Sequence, residues 1–201
     1  MKLLLATSNL GKLSEFRSLL SGFRLEVLSP QDLDLDLEVE ETGSTYLDNA
    51  LLKARTYAGT SGLWSLADDT GLEVLALSGA PGLFSARYAP GEQATDADRR
   101  RYLLDNLAGS PRPWKARFVC TAVLCGPQGG SFHCQGLCRG EIIPHERGER
   151  GFGYDPVFLV SGTGKTMAEM SLEEKNRLSH RARAVKGLQP RLEELLASEA
   201  R

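Results

Sequence analysis

Residues 2–20, KLLLATSNLGKLSEFRSLL, carry an apolar run, a polar turn and an amphipathic stretch in that order. The run at 3–6 predicts a short buried strand. After Thr7-Ser8-Asn9 the apolar residues recur at helical spacing as far as Leu20, and Gly22 ends the pattern. A strand, a turn and a helix form the first half of a βαβ unit, so this stretch predicts an α/β fold.

The remaining apolar runs predict that the sheet is mixed. Residues 116–125 and 131–143 are long runs separated by Gly-Pro-Gln-Gly-Gly, which is the pattern of an antiparallel hairpin. Residues 63–67 and 72–77 predict two further strands, with Asp68-Asp69-Thr70-Gly71 as the turn between them. We therefore expect an elongated mixed sheet with flanking helices.

Capping residues predict where three helices begin. Ser44 precedes a single apolar stripe at helical spacing. Ser171 and Glu174 form a capping box, which predicts a helix running to about Gly187. Pro190 predicts the first turn of a separate, last helix.

The composition bounds the class of protein. A length of 201 residues suits a single domain over 1–201, built as two lobes around a central cleft. Hydrophobic residues at 41% and charged residues at 25% exclude a disordered or collagen-like chain. The net charge of −2 divides into −6 for residues 1–100 and +4 for residues 101–201. Because proteins that bind nucleic acid through bulk charge are usually basic overall, we expect no stable nucleic-acid binding.

Apolar segments and cysteines predict the compartment. The N-terminal apolar run, residues 3–6, is too short for a secretory signal. The longest uncharged run, 118–138, is interrupted by glycine and polar residues and cannot span a membrane. The four cysteines lack paired C-x-x-C spacing, and we interpret them as buried thiols of a reduced protein. We therefore expect a cytoplasmic protein without membrane contact.

The turn Thr7–Lys12 has the composition of an anion-binding site. Hydroxyl groups, backbone N–H groups at a helix N-terminus and one lysine converge there. The alternative interpretation is that Ser8 or Asn9 is simply the helix N-cap.

Two pairs of adjacent acidic residues suggest a metal site. Glu40 and Glu41 precede a glycine turn, and Asp68 and Asp69 follow an apolar run. Adjacent carboxylates repel each other unless a cation or solvent compensates, and carboxylate oxygens are ligands that Mg²⁺ prefers. One carboxylate can bind a metal while another takes a proton from water. The alternatives are a solvated acidic loop and a tight Asp-Gly turn.

Two later segments suggest contacts with a flat, anionic ligand. In Gly151–Pro156 two glycines flank Phe152, so the backbone can approach a ring on which the phenyl group stacks. The basic run Lys175–Arg183 supplies cationic donors near a helix. A core aromatic residue and a solvated basic helix face are the corresponding structural interpretations.

In this order and spacing, the segments resemble the inosine/xanthosine triphosphate pyrophosphatase family from end to end. At one position, Thr70, many relatives have serine, and the hydroxyl group is kept. Six motifs carry the resemblance: T-S-N-x-x-K from Thr7, E-E-T-G from Glu40, A-D-D-T-G-L from Ala67, P-G-x-x-S-A-R-Y from Pro81, G-F-G-Y-D-P-x-F from Gly151 and E-K-N-x-x-S-H-R-x-x-A from Glu174.

The resemblance implies a hydrolase that uses Mg²⁺ to convert ITP, dITP and XTP to the monophosphate and pyrophosphate. This activity keeps non-standard purines out of DNA and RNA. Asp69 would accept the proton of the attacking water. The metal ligands would come from Glu40, Asp69, Glu41 and Asp68, and the sequence leaves open which of them bind the metal directly.

The resemblance also implies the substrate contacts and a homodimer. Lys12, the turn before it and Lys53 would hold the phosphates, Phe152 would stack on the purine in the cleft, and Pro81–Tyr88 could form the dimer contact. The implied substrate-binding residues are Thr7, Ser8, Asn9, Leu10, Gly11, Lys12, Lys53, Thr70, Phe152, Gly153, Tyr154, Asp155, Lys175, His180 and Arg181.

Two alternatives remain open from the residues. One is a pyrophosphatase that acts on modified pyrimidine or 7-methylated nucleotides, against which the Ser179-His180-Arg181 segment argues. The other is a non-enzymatic nucleotide sensor or RNA-binding module that uses the basic C-terminal half. A sensor would tolerate loss of the Asp69 carboxylate, whereas an enzyme would not.

Overall fold

The computed structural model describes residues 1–91 and 93–199 and contains one seven-stranded mixed sheet. The strand order is β2-β1-β3-β5-β6-β7, and β4 pairs with β3. Strand β1 is parallel to β2 and β3, whereas β4 and β7 are antiparallel to their neighbours. The strands are β1 Lys2–Leu5, β2 Glu26–Leu28, β3 Trp64–Val74, β4 Pro81–Gly82, β5 Trp114–Cys125, β6 Ser131–Ile142 and β7 Phe158–Val160.

Among the residues that the structure describes, five helices accompany the sheet, which confirms the predicted α/β class. Most of them begin at a capping residue whose side chain accepts a backbone N–H. In α2 this residue is Thr45, with Asp48 completing a capping box, so the prediction of Ser44 was wrong by one position. The helices are α1 Leu10–Leu20, α2 Tyr46–Ser61, α3 Asp96–Leu107, α4 Leu172–Leu178 and α5 His180–Glu199.

The chain forms two compact units, and unit 1 comprises residues 1–69, 120–136 and 180–201. Its strands are buried on both faces because alternate residues point to opposite sides. Leu3 and Leu5 pack with apolar residues of α1 and α5, whereas Leu4 and Ala6 pack with those of α2. The near-continuous apolar runs at 3–6 and in β5 follow from this double burial.

Unit 2 comprises residues 70–119 and 137–179 and has one hydrophobic cluster of its own. Helix α3 contributes Leu103 and Leu107 to it. The rings of Phe118 and Phe158 lie 4.6 Å apart between centroids in the same cluster. The predicted arrangement of a single domain with two lobes around a cleft stays a prediction.

The two acids at 68 and 69 lie inside a strand, so the predicted turn at 68–71 was wrong. Strand β3 continues through these residues to Val74, and the predicted strand at 72–77 instead ends in a 3₁₀ turn at Leu75–Leu77. Asp and Gly are poor strand formers, which is why the sequence indicated a turn. Hydrogen bonding in the sheet and burial of the flanking apolar residues override that preference.

The C-terminal helices also divide differently from the prediction. Helix α4 begins at the predicted Ser171–Glu174 box but ends at Leu178, because Ser179 is extended with ψ 160°. Helix α5 then runs from His180 through Pro190 without ending. A proline inside a helix costs about 3 kcal/mol. Apolar residues of α5 pack in unit 1 on both sides of Pro190, including Ala184, Val185, Leu188, Leu192 and Leu195.

At Gly136, strand β6 packs so closely against α5 that no room is left for a side chain. A Cβ atom there would lie 2.0 Å from the backbone oxygen of His180 and 2.5 Å from the backbone nitrogen of Ala184. We expect Gly136→Ala to lower the melting temperature by several degrees, since overpacking costs roughly 1–3 kcal/mol. Gly130→Ala is the control, because a Cβ at Gly130 meets nothing within 4 Å. Equal melting temperatures for the two variants would contradict the prediction.

Candidate active site

The turn between β1 and α1 has the predicted strand–turn–helix geometry. Asn9 is the N-cap, and its Oδ1 accepts the backbone N–H of Lys12 at 2.9 Å. The hydroxyl group of Thr7 accepts the N–H of Asn9 at 3.2 Å. Ser8, Asn9 and Leu10 are exposed, while Gly11 and Lys12 are half-buried. The N-cap interpretation is therefore confirmed, and it leaves the helix N-terminus open to an anion from solvent.

Asp68 is a buried carboxylate surrounded by cationic groups of unit 1. Its Oδ1 lies 3.1 Å from Nζ of Lys12, and its Oδ2 lies 3.3 Å from Nη2 of Arg181. The thiol of Cys120 is 3.8 Å from the same Oδ2. Asp68 thus links the lysine of the turn to the start of α5.

Arg181 is the largest fully buried side chain of the described residues, with 1% of its surface exposed. Its Nη1 donates to Oε2 of Glu15 on α1, and the guanidinium lies 5.5 Å from the centroid of the Phe16 ring. A buried guanidinium is tolerated when its charge is paired, and here two carboxylates pair with it. His180, the first residue of α5, is also buried.

Asp69, the predicted proton acceptor, is held by Asn49 of α2. The Nδ2 group of Asn49 donates to Oδ2 of Asp69 at 3.0 Å, and Oδ1 of Asn49 accepts the N–H of Gly43 at 2.7 Å. Burial raises the pKa of Asp69 above its ordinary value, although Lys53 and the hydrogen bond from Asn49 act in the opposite direction. A carboxylate with a raised pKa is a better proton acceptor than an ordinary one.

Lys53 and Glu41 form an ion pair beside these acids, with Nζ and Oε1 2.5 Å apart. Burial lowers the pKa of Lys53, but Asp68, Glu41 and Asp69 outweigh that effect and raise it above its ordinary value. Lys53 is therefore a firmly charged ammonium group among three carboxylates. Glu40 is exposed.

The predicted metal ligands are only partly brought together. Across residues 1–91 and 93–199, no three His, Cys, Asp or Glu side chains form a ready-made metal site. Asp69 and Glu41 nevertheless both neighbour Lys53, and their oxygen atoms are the donors that Mg²⁺ takes. Asp69 is buried, and Asn49 holds its Oδ2 atom in a defined orientation. The donor chemistry therefore fits an additional divalent cation.

In unit 2 the segment that contains Phe152 is held from inside by a buried ion pair. Nζ of Lys175 lies 2.5 Å from Oδ2 of Asp155, which also accepts the backbone N–H of Phe152 at 3.2 Å. A Cβ atom at Gly151 would lie 2.0 Å from Asp155 Oδ2 and 2.6 Å from Lys175 Nζ, and Gly151 has φ +80°. Only glycine fits there, which explains the first glycine of the motif.

The next two residues of this segment are fixed by other parts of unit 2. The N–H of Gly153 donates to Oδ2 of Asp96 at 2.7 Å, and its carbonyl accepts from Nη1 of Arg100 at 2.9 Å. The Tyr154 hydroxyl donates to the backbone oxygen of Ser85 at 2.9 Å. Tyr154 is buried, and burial raises its pKa, so it is a neutral hydrogen-bond donor.

Thr70, the remaining predicted contact, is half-buried and is the first residue of unit 2. Sequence reasoning missed the residues that support the predicted ones, namely Glu15, Asn49, Asp96 and Arg100. A signal existed for Asn49, because it stands four residues before Lys53 and thus on the same helix face. The partners of the other three are distant in sequence, and no local pattern indicates them.

The four cysteines are free thiols, and Cys120, Cys125 and Cys138 are buried, as predicted. Cys134 is only half-buried, so the prediction of a buried thiol was wrong there. None of the helices within 1–91 and 93–199 combines the length and apolar character that a membrane crossing requires.

Several known proteins resemble this chain over nearly its full length. A dITP/XTP pyrophosphatase of Thermus thermophilus is 49% identical over 94% of this chain and 90% of its own length. A dITP/XTP pyrophosphatase of Mannheimia succiniciproducens is 48% identical over 95% of this chain and 98% of its own length. A solved HAM1 protein from Coxiella burnetii superposes with a TM-score of 0.86 at 40% identity, covering 96% of this chain and 99% of its own. A family model matches residues 3–191, and the chain belongs to the Ham1 family.

Proposed function

We propose that this chain hydrolyses the non-standard purine nucleoside triphosphates ITP, dITP and XTP to the monophosphate and pyrophosphate. The observation that carries the proposal is the buried charge cluster of Lys12, Lys53, Asp68 and Asp69 beside the strand–turn–helix of unit 1. It stands in a chain 49% identical to a dITP/XTP pyrophosphatase. The biological role is to keep deaminated purines out of DNA and RNA.

The phosphate chain is proposed to bind at the Thr7–Lys12 turn. The exposed helix N-terminus offers backbone N–H groups to an anion, and Lys12 adds a cation. Lys53 supports the same anion from α2, because its raised pKa keeps it charged at neutral pH.

The reaction is proposed to proceed by attack of water on phosphorus. The new bond joins the water oxygen to the α-phosphorus atom, and the bond from that phosphorus to the bridging oxygen breaks, which releases pyrophosphate. Asp69 accepts the proton of the water, and Asn49 orients the Asp69 carboxylate through its hydrogen bond. Lys12 and Lys53 stabilise the negative charge on the phosphates.

Family membership implies a metal-dependent pyrophosphatase, and we propose Mg²⁺ as the metal. Asp69 with Glu40, Glu41 or Asp68 would hold it. When bound, the ion neutralises charge on the phosphates and favours the attack of water.

The purine is proposed to lie against Phe152 in the segment that Gly153, Tyr154 and Asp155 complete, with Thr70 also in contact. Lys175 and Arg181 are buried in ion pairs with Asp155, Glu15 and Asp68, so we propose that they support the site from within the fold. His180 is the proposed donor toward base or phosphate. Hypoxanthine and xanthine carry an oxygen acceptor at C6, whereas adenine carries an amino donor. A donor that faces a donor costs about 1–3 kcal/mol, so one mismatch disfavours ATP roughly 5–150-fold.

A substrate panel tests this proposal. We expect ITP, dITP and XTP with Mg²⁺ to yield monophosphate and pyrophosphate, and ATP to react at least about tenfold more slowly in kcat/KM. Products are identified by ion-exchange chromatography. Release of orthophosphate with a nucleoside diphosphate would contradict the mechanism. Faster turnover of modified pyrimidine or 7-methylated nucleotides would favour the alternative pyrophosphatase.

We also propose a cytoplasmic homodimer. The segment Pro81–Tyr88 supports the dimer, because Phe84 is 60% exposed within it and Arg87 stacks on its ring at 5.4 Å. Free, buried thiols fit a reducing compartment. Light scattering gives the mass in solution, and a monomer mass would contradict the dimer.

A further inference from the structure

We propose that Asp96 and Arg100 of α3 are positioning residues, which together hold the peptide groups of Gly153 and thereby fix the segment that presents Phe152 to the purine. This inference rests on the proposed base-binding role of Phe152. Neither residue belongs to the six motifs, and their partner lies more than fifty positions away in sequence.

The two contacts are hydrogen bonds to both polar backbone groups of Gly153, its N–H and its carbonyl oxygen. Asp96 accepts the N–H of Gly153 at 2.7 Å, and Arg100 donates to its carbonyl oxygen at 2.9 Å. Asp96 and Arg100 are four residues apart, so both side chains project from the same face of α3. Hydrogen bonds that involve a charged partner are roughly twice as strong as neutral ones.

The two side chains are themselves held in place before any ligand binds. Arg100 makes two hydrogen bonds to Glu146, at 2.8 and 3.0 Å, and only 13% of its side chain is exposed. Asp96 pairs with Arg99 at 2.5 Å. The helix beneath them is anchored by the capping box of Thr95 and Asp98. The Asp96–Arg100 pair therefore offers a rigid support rather than a mobile contact.

A rigid support matters at this position because the segment is rich in glycine and would otherwise be costly to order. Gly151 and Gly153 flank Phe152, and glycine loses more conformational freedom on ordering than any other residue. Asp155 secures the N–H of Phe152 on one side. Asp96 and Arg100 secure the following residue, so the backbone on both sides of the phenyl group is ordered in advance.

Loss of the pair is expected to weaken binding rather than chemistry. When the binding-competent shape is populated only to about a tenth, the apparent affinity falls about tenfold. Arg100→Met removes one hydrogen bond to Gly153, and Asp96→Asn weakens the other by removing the charge of its acceptor. We therefore expect KM for ITP to rise about tenfold in Arg100→Met and by a smaller factor in Asp96→Asn, with kcat changed by less than about twofold in both. A purely structural role would lower the melting temperature without this split between KM and kcat.

The experiment measures kcat and KM for ITP at 25 °C, with melting temperatures, for wild type and six variants. Arg100→Lys keeps the charge and should recover part of the lost affinity. Phe152→Ala removes the stacking group itself. Arg101→Met is the control for a lost charge on the same helix, and Asp98→Asn is the control for a weakened helix cap, since neither residue belongs to the proposed pair. They form an ion pair with each other, and Asp98 also caps the helix through Thr95.

The outcomes separate this inference from the proposed function. A raised KM in Phe152→Ala, Arg100→Met and Asp96→Asn supports the inference, provided that KM of Arg101→Met stays near wild type and KM of Asp98→Asn rises less than that of Asp96→Asn. A raised KM in Phe152→Ala alone overturns it and leaves the proposed base contact standing. An unchanged KM in Phe152→Ala overturns both. An equal rise in Asp98→Asn and Asp96→Asn assigns the effect to helix stability and also overturns it.

Discussion

The Asp69→Asn variant is expected to lose turnover of ITP by about 10²–10⁴-fold while its melting temperature rises. The loss follows because asparagine cannot accept a proton from water, and a positioned general base contributes about that factor. The amide has the shape of the carboxylate, and its oxygen can still accept the hydrogen bond from Asn49. The fold should therefore persist.

The rise in stability follows from the direction of the pKa shift. Burial raises the pKa of Asp69 in the folded protein, so folding disfavours its ionised form. That contribution favours folding below the unfolded pKa and is lost as the pH rises through the raised folded value. At neutral pH the folded wild type carries the free-energy cost of a buried, ionised Asp69. The neutral asparagine side chain removes that cost. Melting curves of wild type and Asp69→Asn in EDTA at pH 7 measure the difference in melting temperature. Bound Mg²⁺ should make this difference smaller.

Asp32→Asn is the matched control, with the opposite expected sign. Hydrogen bonds from the backbone N–H and the hydroxyl group of Ser29 lower the pKa of Asp32, so its ionised form stabilises the fold at neutral pH. This variant should melt lower than wild type and keep full turnover. An Asp69→Asn variant that retained more than about a tenth of wild-type turnover would remove Asp69 from the proposed role.

The second large effect is expected for Arg181→Met, which breaks the buried network of unit 1. Glu15 and Asp68 would both lose their pairing with the guanidinium, and removing one partner of a buried ion pair costs about 3–5 kcal/mol. At about 2–4 °C per kcal/mol for a chain of this size, the melting temperature should fall by roughly 10 °C.

A double variant separates the charge effect from lost packing. In Arg181→Met with Glu15→Gln, no unpaired charge remains at position 15, so part of the stability should return, with a coupling of about 0.5–3 kcal/mol. Lys186→Met is the control, because Lys186 is exposed on the same helix. Melting temperatures of wild type, Arg181→Met, Glu15→Gln and the double variant complete the double-mutant cycle. Purely additive effects would show that Glu15 and Arg181 do not act as a pair.

Much of the fold could be predicted because it depends on local patterns. The apolar run of β1, the turn between β5 and β6 and the capping box of α4 all lie within a few residues of their causes. The errors lie where distant packing overrides local preference. Strand β3 passes through Asp68–Gly71, and α5 continues through Pro190, because long-range pairing and apolar contacts outweigh poor local propensity.

The candidate site shows the same contrast between what local motifs indicate and what depends on distant packing. Motifs name Asp69, Lys12 and Phe152 as candidates because chemistry restricts residue type and spacing, and their roles stay predictions. Which charges meet could not be predicted, since ion pairs between distant positions depend on how the elements pack.

The sequence alone therefore determined the family, the α/β class and the residue types of the proposed phosphate- and metal-binding site, because each is encoded in short patterns. Only the tertiary structure decided that Arg181 lies buried between Glu15 and Asp68. The same is true of the hydrogen bonds from Asn49 to Asp69 and from Gly153 to Asp96 of α3. The physical reason is that burial and electrostatic pairing are properties of the packed chain and have no local signature.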